Sequence, residues 1–266
     1  MTVSFGAVVP AGRSGRDWAD VVRRLEQQGY DAVLVPDTLW TPSPFPALAA
    51  AAAVTSRLHV VSWVLAAPTR TPPAVVREAS ALQVLSDGRF ELGIGAGRPD
   101  AEAETVRLGG RWGTPGERVA AVERVLKAVR EEVTPVPPIV VAAAGPRLLG
   151  VVGRLADRVA LALQPQSGAD DLEAAVRRVS AAAEGRRLDL TLQLVAAGGR
   201  SVPWLAERGL TAQALADAGA VAMLTGDAGE MAEQVVSLGE RYGITHLAVP
   251  GDLADVVAPV AARLRG

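Results

Sequence analysis

The sequence contains no cysteine and only two histidines, and it has no excess of positive charge. Without cysteine the chain cannot form a disulfide framework, a thiolate nucleophile or a thiolate metal site. A formal net charge of -2 gives no electrostatic attraction to nucleic acid or to an anionic membrane surface, so we expect neither as a partner. The histidines and carboxylates show no metal-ligand spacing, and we expect no bound metal.

Long apolar runs are also missing. The strongest candidate is the alanine-rich stretch 45–55, which is too short to span a bilayer and predicts a buried helix. The first residues lead directly into a predicted strand, without the basic and apolar regions of a signal peptide. We therefore expect a cytoplasmic globular protein, and a hydrophobic content of 49% is enough to form a large core.

Strand-like and helix-like segments alternate along the chain. Runs rich in Val, Leu and Ile, such as 31–36 and 245–250, predict strands, and amphipathic stretches such as 17–29 predict helices. Eight such units in a chain of this length favour a (β/α)8 TIM barrel over a doubly wound α/β sheet. No linker or change in composition divides the chain, so we predict a single barrel domain over residues 1–266. Only the region 198–224 resists assignment.

In a TIM barrel the functional residues lie at the C-terminal ends of the strands. His59 and His246 stand near strand starts, so we expect a structural role for both, which leaves no histidine for general-base catalysis. The predicted strand ends carry small residues instead, and these allow a flat ligand to lie against the backbone. The small and polar residues at these ends include Asp37, Thr38, Ala66, Ala96, Gly97, Arg98, Ala144, Gly145 and Arg147.

Two glycine-containing segments favour contact with a ligand. Gly93, Gly95 and Gly97 alternate with apolar residues, and either a ligand approaches this backbone or the glycines pack inside a narrow barrel. Gly145 followed by Pro146 predicts a helix start whose free N–H groups favour an anion such as phosphate. An ordinary turn between a strand and a helix explains the second segment equally well.

Four longer segments together carry a family resemblance. They are GYDAVLVPDTL, TSRLHVVSWVLAAPTRTPPAVVREASALQVLSDGRFELGIGAG, PPIVVAAAGPRLL and ERYGITHLAVPGDLADVVAPVAARLRG. Together they resemble the luciferase-like monooxygenase superfamily, in particular its actinobacterial coenzyme F420-dependent oxidoreductases. The resemblance spans nearly the whole chain. It implies a TIM barrel that binds coenzyme F420 or, alternatively, FMN, acts on a small molecule and can form a homodimer.

The resemblance also implies where the cofactor binds. The face of its ring would lie against the backbone from Gly95 to Gly97, and a non-prolyl cis peptide is expected within 62–65. The segment 144–148 would receive the cofactor phosphate, and Asp37 would face the ring or a nearby hydroxyl. The implied cofactor contacts are Asp37, Trp63, Val64, Ala66, Ala96, Gly97, Ala144, Gly145, Arg147 and Leu148.

Two positions depart from the family pattern. Many relatives have a histidine directly after the aspartate, where this chain has Thr38, and the sugar-phosphate dehydrogenases of the superfamily have a glutamate where this chain has Arg98. Arginine cannot act as a base at neutral pH. The candidate catalytic residues are then Asp37, Thr38 and Arg98.

These departures leave two hypotheses. The first is a reductase-like or monooxygenase-like oxidoreductase, in which the cofactor carries hydride to or from a small organic substrate and the protein supplies positioning. The alternative is a barrel that binds the cofactor at most and has lost its acid/base pair. The retained small residues at the strand ends favour the enzyme.

Overall fold

The computed structural model of the chain describes residues 3 to 265. Its strands are short, and most are separated by helices, as the alternation of the sequence predicts. The strands are β1 (Ser4–Val8), β2 (Ala32–Val35), β3 (His59–Ser62), β4 (Leu65–Ala66), β5 (Phe90–Gly95), β6 (Ile139–Ala143), β7 (Arg158–Leu161), β8 (Asp189–Gln193), β9 (Ala196–Ala197), β10 (Arg200–Ser201), β11 (Met223–Leu224) and β12 (Ile244–Pro250).

Eight parallel strand positions close into a barrel. The order around it is β3, β2, β1, β12, β8, β7, β6 and β5, and a pairing between β3 and β5 completes the circle. The short strand β4 continues the position of β3 and pairs with the upper half of β5. The (β/α)8 TIM barrel predicted from the sequence is therefore confirmed.

Helices cover the outside of the barrel. They are α1 (Gly15–Gln27), α2 (Pro44–Val54), α3 (Pro72–Leu85), α4 (Glu102–Arg107), α5 (Pro115–Glu132), α6 (Pro146–Leu155), α7 (Ala169–Ala182), α8 (Pro203–Ala206), α9 (Ala212–Asp217), α10 (Ala228–Tyr242) and α11 (Ala254–Arg265). Side chains of Ser14, Thr114 and Asp227 cap α1, α5 and α10 by accepting backbone N–H groups. Among the helices described, none combines the length and apolar character needed to cross a membrane.

The main core lies between the strands and the helices. Phe5, Phe90 and Leu92 belong to it, and they are buried on the outer side of the barrel wall. Leu34, Val61 and Ala248 form a separate small cluster with Trp63 in the interior. Small residues on the inner wall leave a cavity of about 490 Å³, which runs from the N-terminal end of the strands up to Trp63.

The region 198–224, which the sequence left unassigned, follows the seventh predicted strand segment, 189–197. It contains α8 and α9, and β10 and β11 pair with β9 in a three-stranded sheet outside the barrel. Each of these strands has two residues, which is too short to leave a periodic pattern in the sequence.

Candidate active site

The third barrel strand is interrupted at the C-terminal end of the barrel. A cis peptide bond joins Trp63 to Val64 between β3 and β4, as predicted. Below it, the Ser62 hydroxyl donates to the carbonyl of Gly93 and accepts from its N–H, both at 2.9 Å. A side chain at Gly93 would collide with the Ser62 carbonyl oxygen. Packing inside the barrel therefore explains this glycine.

The other two glycines of the run also lie against protein groups. A β-carbon at Gly95 would stand 3.1 Å from Cγ2 of Val64. Gly97 has φ +81°, and a side chain there would collide with the indole of Trp112, which is 4% exposed. Trp112 therefore lies on the side of Gly97 where a side chain would stand, the neighbouring Ala96 is half-buried, and the contact of a cofactor ring with 95–97 stays a prediction.

Asp37 follows β2 and is held by two partners. Arg70 donates from Nη2 to Oδ1 at 2.6 Å and from Nε to Oδ2 at 3.3 Å. The backbone N–H of Ala66 donates to Oδ2 at 3.1 Å. The carboxylate therefore positions the start of β4 and the loop after it, and its predicted contact with a cofactor ring stays a prediction.

Thr38 and Arg98 have protein partners as well. The Thr38 hydroxyl lies 2.7 Å from that of Thr41. Arg98 is more than half exposed, with its guanidinium carbon 5.1 Å from the ring centre of Trp40 and its Nη2 3.3 Å from Asp100. Trp40 is 61% exposed, so Arg98 and Trp40 together form one part of the rim around the barrel mouth.

The start of α6 lies where the sequence predicts it, and its binding of an anion stays a prediction. Gly145 is the N-cap, Pro146 takes the first helical position, and no side chain among residues 3 to 265 caps the helix. Gly145 has an ordinary φ of -80°, and a β-carbon there would meet no atom of the described chain within 4 Å. Ala144 and Arg147 are exposed beside it, whereas Leu148 is buried.

Trp63, which the resemblance implied as a cofactor contact, has a partner at the mouth that was not identified from the sequence. The indole Nε1 of Trp63 donates to Oε1 of Gln193 at 3.1 Å. Gln193 is the last residue of β8 and is exposed. The predicted strand continued to Ala197, which placed Gln193 inside a strand and not at its C-terminal end.

The two histidines lie at the opposite end of the barrel, as predicted. His59 Nδ1 is 2.9 Å from the Glu91 carboxylate, which also pairs with Arg158. The hydrogen bond to Glu91 raises the pKa of His59. Burial lowers the pKa of His246 to about 4, and the charge of Arg158 acts in the same direction.

Glu91 is buried between these groups. Burial alone would raise its pKa, but the hydrogen bond from His59 and the charge of Arg158 outweigh burial and hold the pKa below its usual range. This cluster lines the lower part of the cavity, away from the C-terminal ends of the strands. Active sites of this fold lie at the other end of the barrel, so the structural role expected for both histidines stays the prediction.

Comparisons with known proteins identify a family and a fold. A family model described as luciferase-like monooxygenase matches residues 2–202. An F420-dependent glucose-6-phosphate dehydrogenase of Beutenbergia cavernae is 34% identical over 165 residues, which cover 50% of this chain and 48% of that protein. The chain spans about half the length of the curated relatives that it matches.

Solved structures share the fold at low sequence identity. A coenzyme F420-dependent tetrahydromethanopterin reductase from Methanopyrus kandleri has a TM-score of 0.74 at 17% identity, covering 98% of both chains. A riboflavin lyase with modified FMN and riboflavin has a TM-score of 0.74 at 16% identity, covering 99% of this chain and 92% of the other.

Proposed function

Because the chain belongs to the luciferase-like monooxygenase family, we propose that it is a coenzyme F420- or FMN-dependent oxidoreductase acting as a reductase on a small organic molecule. The observation that carries this proposal is the start of α6. It is an uncapped helix N-terminus with open space in front of Gly145, on the end of the barrel where active sites of this fold lie.

The residues at the start of α6 fit a phosphate group. Proline at the first helical position has no N–H, so the N–H groups of Arg147 and Leu148 are the ones available to an anion. The helix dipole and the exposed guanidinium of Arg147 both favour negative charge there. Since no packing of the described chain requires glycine at position 145, the open space is free for a ligand.

The barrel wall near the mouth fits a flat ring. Ala66, Gly95, Ala142 and Ala160 are aligned in register across β4, β5, β6 and β7. These residues carry a methyl group at most, so the wall itself projects no large side chain, and a ring at the mouth would lie beside Val64, whose Cγ2 stands next to Gly95. When bound, a deazaflavin or flavin supplies the atom that accepts or donates hydride.

The polar side chains at the mouth support positioning and not proton transfer. The carboxylate of Asp37 forms an ion pair with Arg70, and the hydroxyl of Thr38 is a poor acid and base. Arg98 is a fixed positive charge that can bind an anionic group or stabilise negative charge on an acceptor oxygen. This supports the reduction of an activated double bond over the oxidation of an alcohol, which needs a base to remove the hydroxyl proton.

We do not propose for this chain the substrate that the curated relatives are named for. The curated relatives are named for glucose 6-phosphate, but the match covers about half of their length. The residue directly after Gly97, beyond the end of β5, is Arg98, and an arginine cannot serve as a base. We therefore assign a small organic molecule with an anionic or carbonyl group, and no sugar phosphate.

Titration with each cofactor tests the proposal. Purified protein is mixed with coenzyme F420 or FMN, and binding is followed by the absorbance and fluorescence of the chromophore. We expect saturable binding of one of the two, and then oxidation of the reduced cofactor in the presence of small enones or imines. Failure to bind either cofactor would overturn the proposal, and binding without turnover of any acceptor would favour the non-catalytic barrel.

A further inference from the structure

The Trp63–Gln193 hydrogen bond crosses the barrel. Three strands separate β3 from β8 in each direction around the circle, so the two residues belong to opposite walls. The indole of Trp63 therefore spans the interior, with the lower cavity on one side of it and the mouth on the other. The pair forms the floor of the mouth.

This contact fixes the orientation of the Gln193 amide. An indole N–H can only donate a hydrogen bond, so the amide oxygen must face Trp63. The amide nitrogen then points away from Trp63 and carries two N–H groups. Within residues 3 to 265 this nitrogen has no hydrogen-bond partner, and the side chain is exposed at the end of β8.

The free amide nitrogen borders the wall of small residues. Ala160 on β7 is paired with Thr191 on β8, two residues before Gln193. A flat ring that lies along β4, β5, β6 and β7 therefore has one edge at Gln193. Of the polar side chains nominated from the sequence, Asp37 is paired with Arg70, and Arg98 contacts Trp40 and Asp100.

We propose that Gln193 donates a hydrogen bond from Nε2 to a carbonyl oxygen of the conjugated cofactor ring, and that Trp63 sets the amide in the donating orientation. This inference rests on the proposed function, because it requires a ring-bearing cofactor at the mouth. Gln193 is then a binding residue, and Trp63 is a positioning residue for its amide. Neither group can exchange a proton with the ring near neutral pH.

The decisive variant is Gln193→Glu. Its carboxylate still accepts the hydrogen bond of Trp63, so the floor of the mouth is kept, but it has no N–H to donate. Gln193→Leu removes both functions without adding charge. Since a neutral hydrogen bond contributes on the order of 1 kcal/mol, we expect both variants to raise the cofactor dissociation constant by about threefold to tenfold.

Gln164 provides matched controls. It is an exposed glutamine that follows β7 at the same end of the barrel, and within residues 3 to 265 the indole N–H of Trp63 donates to Gln193 and not to Gln164. Gln164→Glu and Gln164→Leu introduce the same chemical changes nearby, and we expect both to bind coenzyme F420 and FMN like the wild type. An equal loss of affinity in the Gln164 variants would attribute the effect to added charge or to surface change, and would overturn the role of Gln193.

The absorption spectrum of the bound chromophore gives a second readout. A hydrogen bond to a ring carbonyl shifts the visible band, so the band should move in both Gln193 variants and stay in place in the Gln164 variants. Trp63→Phe should move it in the same direction, and Trp63→Phe combined with Gln193→Leu should add little to either single change. Melting curves of the free variants check that the fold is kept.

The outcomes separate this inference from the proposed function. If the wild type binds a cofactor and the Gln193 variants bind it equally well with an unchanged spectrum, the inference is wrong and the proposed function stands. If the wild type binds neither coenzyme F420 nor FMN, the proposed function fails and the inference fails with it.

Discussion

Arg70 and Asp37 form a forked ion pair that joins the end of the second barrel strand to the loop after the third. Two nitrogens of the guanidinium contact the two carboxylate oxygens, and Oδ2 also accepts the backbone N–H of Ala66. The side chain of Arg70 is only 22% exposed and that of Asp37 only 9%. The rim beside the Trp63–Val64 segment is therefore held by a charge pair that is largely shielded from solvent.

Asp37→Asn should destabilise the protein. The amide can still accept the N–H of Ala66, but Arg70 loses its counter-ion in a partly buried place, and we expect the free energy of unfolding to fall by about 2 kcal/mol. Denaturant unfolding of Asp37→Asn, Arg70→Met and the double variant measures this effect. The double variant should lose much less than the sum of the single losses. Strict additivity would show that the two residues act independently.

Gly145→Val should weaken cofactor binding while the fold is kept. The backbone at position 145 suits any residue, but a branched side chain would fill the space in front of the helix N-terminus. Loss of charge-assisted hydrogen bonds predicts a rise of the dissociation constant by about tenfold or more, measured by fluorescence titration.

Gly150→Ala is the matched control for that variant. Gly150 lies inside the same helix and also has no described atom within 4 Å of a β-carbon. Alanine there should leave cofactor affinity unchanged and raise stability by about 0.5–1 kcal/mol. Wild-type affinity in Gly145→Val would exclude this helix start as the phosphate site.

The two histidines should make opposite contributions to the pH dependence of stability. His246 has a lowered pKa of about 4, so the unfolded chain takes up its proton first, and stability is lost as pH falls from the usual histidine value toward 4. His59 has a raised pKa, so its contribution is full below the usual value and is lost as pH rises through the folded-state pKa.

Melting curves of the wild type, His246→Gln and His59→Gln between about pH 7 and about pH 5 measure both contributions. The melting-temperature difference between wild type and His246→Gln should shrink as pH falls from about 7 to about 5. The corresponding difference for His59→Gln should grow over the same range. Because both residues lie far from the mouth, turnover should change less than stability. A large loss of turnover with unchanged melting would contradict the placement of the active site.

Arg98→Met should lower kcat and leave cofactor affinity nearly unchanged. Methionine keeps most of the stem over Trp40 but removes the charge that would stabilise an acceptor oxygen, and we expect a loss of about tenfold to a thousandfold. Arg107→Met, an exposed arginine paired with Glu104 on α4, is the control and should retain full activity.

The pH profile of the wild type supplies an independent check. Since an arginine and a threonine provide no general acid or base near neutrality, kcat should depend only weakly on pH. Steady-state kinetics with an identified acceptor measure this dependence. A steep bell-shaped profile would assign the chemistry to other residues.

The barrel was predictable because its strands are continuous apolar runs. The predicted strand 245–250 differs from β12 (Ile244–Pro250) by one residue. The seventh predicted segment, 189–197, shows the limit of this signal, because the apolar run continues past Gln193 while the chain leaves the barrel and forms β9. Periodicity does not distinguish two buried strands in different sheets, so the position of Gln193 at the mouth was missed.

The partners of the site residues were less accessible to sequence reasoning. Gly97 lies against Trp112, which comes from the segment before α5, and Asp37 pairs with Arg70 from a different loop. Such contacts depend on how separate loops pack over the barrel mouth. The helix start at Gly145 was easier to predict, since it is defined by adjacent residues.

The pairing of β1 with β12 has a consequence for synthesis of the chain. These strands are the first and last of the barrel, and five residue pairs in parallel register join them. Until β12 has been made, β1 and β8 each present an open edge with unpaired backbone groups, and such edges promote association with other chains. A ribosome-bound chain that stalls before Ile244 should therefore depend on chaperones, whereas completion of β12 removes both edges in one step.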